Sequence, residues 1–143
     1  MASEIAARIR LVQIFPGLSN SPFDITSQPD PLYNCIAWAA GVDDEFWWPG
    51  SKHWPAGKPV TRASFVKAFA TKGYEVCEGP EPEDGFEKIV LYEKDGQPKH
   101  AARLLADGRW TSKLGIAHDI AHTLDGLNGA QYGEPVLFLK RPA

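Results

Sequence analysis

The second half of the chain constrains the fold most, because strand-forming runs alternate there with tight turns. Residues 88–92 (Lys-Ile-Val-Leu-Tyr) predict a strong strand. Turns at 95–96 and 107–108, both Asp-Gly, predict strands over 99–106 and 109–114. Strands joined by such short turns pair in antiparallel order. The pattern therefore predicts an antiparallel meander.

Helical patterns dominate the first half. A short helix is predicted over residues 3–12, and Asn34 is a suitable cap for a second helix that ends at Gly41. A third helix is predicted from Thr61 to about Lys72, with apolar side chains four residues apart on one face.

The remaining segments complete the expected order. A short strand is predicted over 74–77 and a final strand over 134–140, whereas residues 42–60 are expected to form a Pro- and Trp-rich loop. Helical spacing predicts one more helix through Ile116, Ile120, Leu124 and Leu127. Helices followed by a meander indicate an α+β fold, and residues 1–143 are expected to form a single domain.

Composition narrows the functional classes. The chain has 143 residues, a net charge of −3 and two cysteines. No basic face, long apolar run or leader is evident, so we expect neither a nucleic-acid partner nor a membrane span. Free thiols and a cytoplasmic location are expected, with export by a dedicated secretion system as the alternative. The sequence leaves the oligomeric state open.

Cys35 is the candidate nucleophile. Directly after the predicted cap Asn34, its thiol falls in the first helical turn, where free N–H groups favour a thiolate and could hold an oxyanion. The alternative is an inert buried thiol. Cys77 lies in a predicted strand and is expected to be structural.

His100 is the candidate base, and Ser112 on the next strand is the group that could orient it. A two-residue turn would pair Arg103 with Ser112 and send the imidazole to the opposite face. A three-residue loop with a bulge would instead pair Ala102 with Ser112, making His100 a diagonal neighbour on the same face. The catalytic interpretation requires the second register.

A resemblance supports this constellation. An Asn-Cys at a helix start, followed by His-x7-Gly-x3-polar, resembles the NlpC-type peptidases of the papain-like cysteine peptidase superfamily. The stretches Tyr-Asn-Cys-Ile-Ala-Trp-Ala-Ala-Gly, His-Ala-Ala-Arg and Gly-Arg-Trp-Thr-Ser-Lys-Leu-Gly are similar to an uncharacterised bacterial domain family placed in that superfamily, from about Phe15 to Pro142.

The resemblance implies a papain-like domain in which N-terminal helices pack on a small antiparallel sheet. It implies that Cys35, His100 and Ser112 form a catalytic site that needs no cofactor. The third position is commonly His, Asn or Gln in those peptidases, so Ser112 is a departure. The expected activity is hydrolysis or acyl transfer at an amide or ester bond of a peptide, protein or small amide. The alternative is an inactive papain-like binding module, which the uncharged Ser112 favours.

Further side chains are candidates for contacting substrate or the oxyanion. The aromatic residues could line a groove or pack as a small core under a long loop. The candidates are Gln28, Asn34, Trp38, Trp47, Trp48, Trp54, Trp110 and Lys113. His118 and His122 are four apart on the predicted last helix, a spacing that can bind zinc, but a solvated or capping pair is expected instead of a metal. Asp119 could support the base only if that helix folded back over the site.

Overall fold

A computed structural model describes residues 2–114 and 118–143. The elements, in chain order, are α1 (Ala2–Ile14), a 3-10 turn (Pro16–Ser19), β1 (Phe23–Ile25), α2 (Cys35–Ala39), α3 (Arg62–Ala70), β2 (Glu75–Cys77), β3 (Phe86–Lys94), β4 (Gln97–Leu104), β5 (Trp110–Lys113), β6 (Asp119–His122), a second 3-10 turn (Leu124–Leu127) and β7 (Glu134–Pro142). The described strands form one antiparallel sheet in the order β1-β6-β5-β4-β3-β7-β2. The predicted α+β class is confirmed.

The meander β3-β4-β5 is built by the two predicted Asp-Gly turns. Asp95 (φ 53°) and Gly96 (φ 78°) both lie in the left-handed region, so they form a two-residue hairpin turn. In the next hairpin the Leu105 N–H donates to the Arg109 carbonyl at 2.7 Å, which leaves a three-residue loop over 106–108. The two hairpins therefore differ in loop length, and this difference fixes which side chains of β4 and β5 share a face.

Both faces of the sheet are covered. On one face, α2 and α3 pack on Ile89, Leu91 and Ala101 of the sheet in a single buried cluster. On the other face, α1 and the first 3-10 turn pack on the alternate side chains, among them Val90 and Ala102. Because side chains alternate along a strand, neighbours in β4 contribute to different clusters.

The predicted helix through Ile120 and Leu124 is wrong. Residues 119–122 form β6, which pairs with β5 on one side and β1 on the other, and Leu124–Leu127 is a single 3-10 turn. Ile116 lies outside the described residues. All four residues of β6 are buried, so the strand lacks the alternation that marks a half-exposed strand, and its apolar spacing imitates a helix.

The other predictions differ from the structure mainly at their ends. The helices over 3–12 and 61–72 and the strands are confirmed with shifted bounds, and residues 42–60 contain no helix or strand. β1 is a short strand in a segment for which no strand was predicted. Within the described ranges, no helix is long and apolar enough to cross a bilayer.

Candidate functional site

Asn34 fixes where α2 begins. Its side-chain oxygen accepts from the N–H of Ala37 at 3.4 Å and of Trp47 at 2.9 Å, and its Nδ2 donates to the Trp47 carbonyl at 2.7 Å. The residue is buried, so these bonds satisfy a polar group that would otherwise be costly in the interior. The predicted cap is confirmed, and it makes Cys35 the first residue of the helix.

The Cys35 thiol is buried and is not exposed to solvent at the start of α2. The residue is 7% exposed and belongs to the cluster under α2 and α3. Burial raises the pKa of the thiol to about 12, although the backbone N–H groups of Ala101, Ile36 and Cys35 itself all act to lower it. The expectation of a thiol activated in the resting protein is therefore wrong, because desolvation outweighs the dipoles at this short helix start.

His100 and Ser112 are brought together by the β4-β5 register. Arg103 lies opposite Thr111, and Leu104 lies opposite Trp110. The same register, extended by one residue, places Ala102 opposite Ser112. The His100 Nε2 lies 2.9 Å from the Ser112 Oγ, and both side chains are completely buried. The three-residue loop with same-face neighbours, which the catalytic interpretation required, is the register observed.

His122 extends this pair into a chain of three. Its Nε2 lies 2.6 Å from the Ser112 Oγ, and its Nδ1 lies 2.6 Å from the Thr123 carbonyl oxygen. A carbonyl only accepts, so Nδ1 carries the proton and Nε2 is an acceptor. The Ser112 hydroxyl must then donate to His122, which leaves its oxygen to accept from the His100 Nε2–H.

This direction determines the tautomer of His100. With its proton on Nε2, the imidazole presents a lone pair at Nδ1, which has no hydrogen-bond partner among the described residues. Burial holds the pKa of His100 well below 6.5, with a smaller contribution from the neighbouring His122, whose own pKa burial lowers to about 4. Both imidazoles are therefore neutral near pH 7, and His100 holds an unpaired proton acceptor.

The thiol and the imidazole approach the same strand from different sides. Cys35 belongs to the cluster under α2, whereas His100 lies on the face of Ser112 and the α1 cluster. The Ala101 N–H, which adjoins His100 in the chain, faces the Cys35 sulfur. Tyr132 stacks on the imidazole, and an ionised Cys35 would act to raise the pKa of Tyr132. No hydrogen bond joins the thiol to Nδ1.

The tryptophans divide by burial. Trp47 and Trp54 are buried and pack with Phe65, which favours the small core under a long loop. Trp48 is half-buried against Phe65, and Trp110 is buried on the α1 face. Trp38 is half-buried as well, and its Nε1 donates to the Thr111 hydroxyl at 3.1 Å.

Lys113 and Gln28 have different surroundings, one in the interior and one at the surface. Lys113 is buried with its ammonium 4.9 Å from the Tyr33 ring centre, and burial lowers its pKa. Gln28 is exposed and lines a surface cleft with Glu4 and His118. The N–H groups that face the Cys35 sulfur come from the backbone of α2 and β4.

His118 and His122 do not form the helical pair considered in the sequence, because residues 119–122 are a strand. Asp119 opens β6 and accepts from the Tyr33 hydroxyl at 2.8 Å, so it supports Tyr33 rather than His100. No cluster of three or more metal-ligating side chains occurs in the described part of the chain. His118 and His122 are separated by the length of β6, which the extended strand sets.

Comparison with known families gives one match. Residues 24–140 match the family described as a domain of unknown function, DUF7689. The chain belongs to this family. The match covers β1 to β7 and includes Cys35, His100, Ser112 and His122 of this DUF7689 domain. No curated protein and no solved structure matches the chain.

The sequence did not predict that His122 and Tyr132 contact Ser112 and His100. His122 was placed on a helix, where it could not reach Ser112, and Tyr132 lies in a loop without any motif. An available signal was the run Asp-Ile-Ala-His after a strand and a Gly, which is as compatible with a fourth meander strand as with a helix.

Proposed function

We propose that this DUF7689 domain is a papain-like cysteine hydrolase or acyltransferase acting on an amide or ester carbonyl, with Cys35 as nucleophile and His100 as base. The observation that carries the proposal is the directed hydrogen-bond chain Thr123–His122–Ser112–His100, which leaves an unpaired Nδ1 lone pair. A nucleophile, a base and a group that orients the base are the parts that covalent acyl transfer needs.

The proposed reaction begins with both partners neutral. No hydrogen bond joins the thiol to His100 Nδ1 at rest, so the site must first bring the two groups together. The thiol proton then passes to Nδ1 as the sulfur bonds to the substrate carbonyl carbon. The Cys35 and Ile36 N–H groups, which face the sulfur at the start of α2, are the proposed donors to the developing oxyanion. The protonated Nδ1 then gives its proton to the leaving nitrogen or oxygen as that bond breaks. Water or another amine attacks the thioester by the same steps in reverse.

Ser112 compensates for its lack of charge by connecting two imidazoles. When Nδ1 of His100 takes up a proton, the Nε2 proton can move to Ser112 and the serine proton to His122, each along an existing hydrogen bond. The positive charge can then be shared between His100 and His122 without any heavy atom moving. A serine in this position is consistent with function because it is hydrogen-bonded to His122, which can take up the charge.

Acyl labelling tests the proposal without knowledge of the substrate. A thiol with a pKa of about 12 has roughly 10⁻⁵ of its population as thiolate at pH 7, about a thousandfold less than an ordinary thiol. We expect Cys35 to be acetylated by p-nitrophenyl acetate at pH 7 much faster than this fraction allows, as measured by peptide mass spectrometry. His100→Gln should slow that reaction at least tenfold.

His53→Gln is the matched control, because it removes an exposed imidazole that is not part of the chain of hydrogen bonds. Circular dichroism establishes that each variant is folded. A Cys35 acetylation rate that His100→Gln leaves unchanged would overturn the assignment of His100 as base.

The burial of Cys35 favours the second candidate, an inactive binding module on the same scaffold. A sulfur that is 7% exposed in an apolar cluster behaves as a small core residue unless the site opens. This alternative predicts that Cys35 is not acylated, and that Cys35→Ser leaves every reaction of the protein with the ester unchanged.

A further inference from the structure

The loop that covers His100 is closed by two glycines. Gly129 and Gly133 exchange backbone hydrogen bonds of 3.0 and 2.8 Å, which form an isolated bridge around residues 130–132. Their φ values of 141° and 76° are open to glycine but strained for other residues. Lys94 donates to the Ala130 carbonyl at 2.6 Å and attaches this loop to β3. The loop is therefore a tight turn with a defined orientation.

Tyr132 is the one side chain of residues 130–132 that turns inward. Its ring stacks on the His100 imidazole with 4.0 Å between centroids and 6° between planes, and it contacts the Phe15 ring at 5.0 Å on another side. The neighbouring Ala130 and Gln131 are exposed, whereas Tyr132 is half-buried. A parallel aromatic contact covers one face of the imidazole and restricts rotation of its plane.

We propose that Tyr132 is a positioning residue of the Cys35–His100 site: its ring holds the imidazole plane and covers the site, and the glycine-bounded loop must move to admit substrate. This inference rests on the proposed function. Within residues 2–114 and 118–143, the His100 ring has one hydrogen bond, from Nε2 to Ser112, so rotation about that bond is limited by what packs on the ring. Tyr132 supplies this packing.

The same ring explains how a hydrolase site can be closed at rest. Tyr132 covers one face of the His100 imidazole, and an ionised Cys35 would act to raise the pKa of Tyr132. Displacing the ring would uncover the imidazole. Among the described residues, the titratable groups that face His100 are His122, Tyr92 and Tyr132.

The experiment compares acetylation of Cys35 by p-nitrophenyl acetate in the wild-type chain, Tyr132→Phe, Tyr132→Ala and each of these with His100→Gln. Positioning predicts that His100→Gln slows the wild type and Tyr132→Phe at least tenfold, but Tyr132→Ala less than threefold. Covering predicts that Tyr132→Ala/His100→Gln reacts at least tenfold faster than His100→Gln alone. Gln131→Ala, an exposed neighbour on the same loop, should match the wild type.

NMR titration of the histidine side chains supplies a readout that needs no reaction. Because burial keeps the His100 pKa low, uncovering the ring in Tyr132→Ala should raise it, whereas Tyr132→Phe should not. An unchanged His100 titration together with a tenfold His100 dependence in Tyr132→Ala would overturn the Tyr132 proposal alone. Loss of the His100 dependence in the wild-type chain would overturn the proposed function and this inference with it.

Discussion

Acid should destabilise this fold through the buried imidazoles, well above the pH range in which carboxylates titrate. His100 and His122 are both completely buried and neutral in the folded chain, because burial lowers both pKa values. In the unfolded chain both take up a proton with a pKa of about 6.5. The unfolded state therefore binds more protons below that pH, and stability falls as the pH falls.

The size of the effect follows from the pKa of His122. With about 4 in the folded state and about 6.5 unfolded, lowering the pH from 7 to 5 removes about 2 kcal/mol from the free energy of unfolding. His100 acts in the same direction, because its pKa is also lowered. Above pH 7 the histidine contribution is constant. A domain of this kind has about 5–15 kcal/mol in total, so the loss is easily measured.

Urea denaturation followed by circular dichroism at pH 7, 6 and 5 measures this slope. His122→Gln keeps a polar partner for Ser112 but cannot titrate, so it should remove about half of the slope. His53→Gln, at an exposed position, should leave the slope unaltered. A wild-type free energy of unfolding that changed by less than about 0.5 kcal/mol between pH 7 and 5 would refute the assignment of buried neutral imidazoles.

Three further predictions concern stability in urea. Ser112→Ala leaves the His100 Nε2–H donor and the His122 Nε2 acceptor unpaired in the interior, so it should lower the free energy of unfolding by about 2–4 kcal/mol. Ser19→Ala removes an exposed serine that also donates a hydrogen bond, and it should lower that free energy by less than about 0.5 kcal/mol. Equal losses would contradict the buried chain of hydrogen bonds. Asn34→Ala removes the cap and both bonds to Trp47, so about 2–3 kcal/mol should be lost, and a loss below about 0.5 kcal/mol would argue against that anchoring role. Gly133→Ala places a methyl group against the backbone of β3 at a residue with positive φ. It should therefore lower the free energy of unfolding by at least about 1–2 kcal/mol and loosen the Tyr132 loop. A Gly133→Ala melting curve identical to that of the wild type would contradict this.

Local chemistry made much of the fold and part of the site predictable. The Asp95-Gly96 turn specifies its own hairpin, and Asn34 specifies a helix start, because each acts on backbone groups a few residues away. The position of Cys35 at that start followed directly. For His100 and Ser112 the sequence reduced the possibilities to two registers, because one extra loop residue moves a whole strand's side chains to the other face.

Long-range pairing decided the rest. Residues 119–122 became a strand because β1 and β5 lie on either side of them, and only then could His122 reach Ser112. The tertiary structure likewise decided the protonation of the Cys35 thiol. A helix start favours the thiolate locally, but desolvation depends on everything packed around the sulfur. Sequence neighbours thus determined which groups could act, and burial determined their protonation, because the free energy of a charge depends on its surroundings in three dimensions.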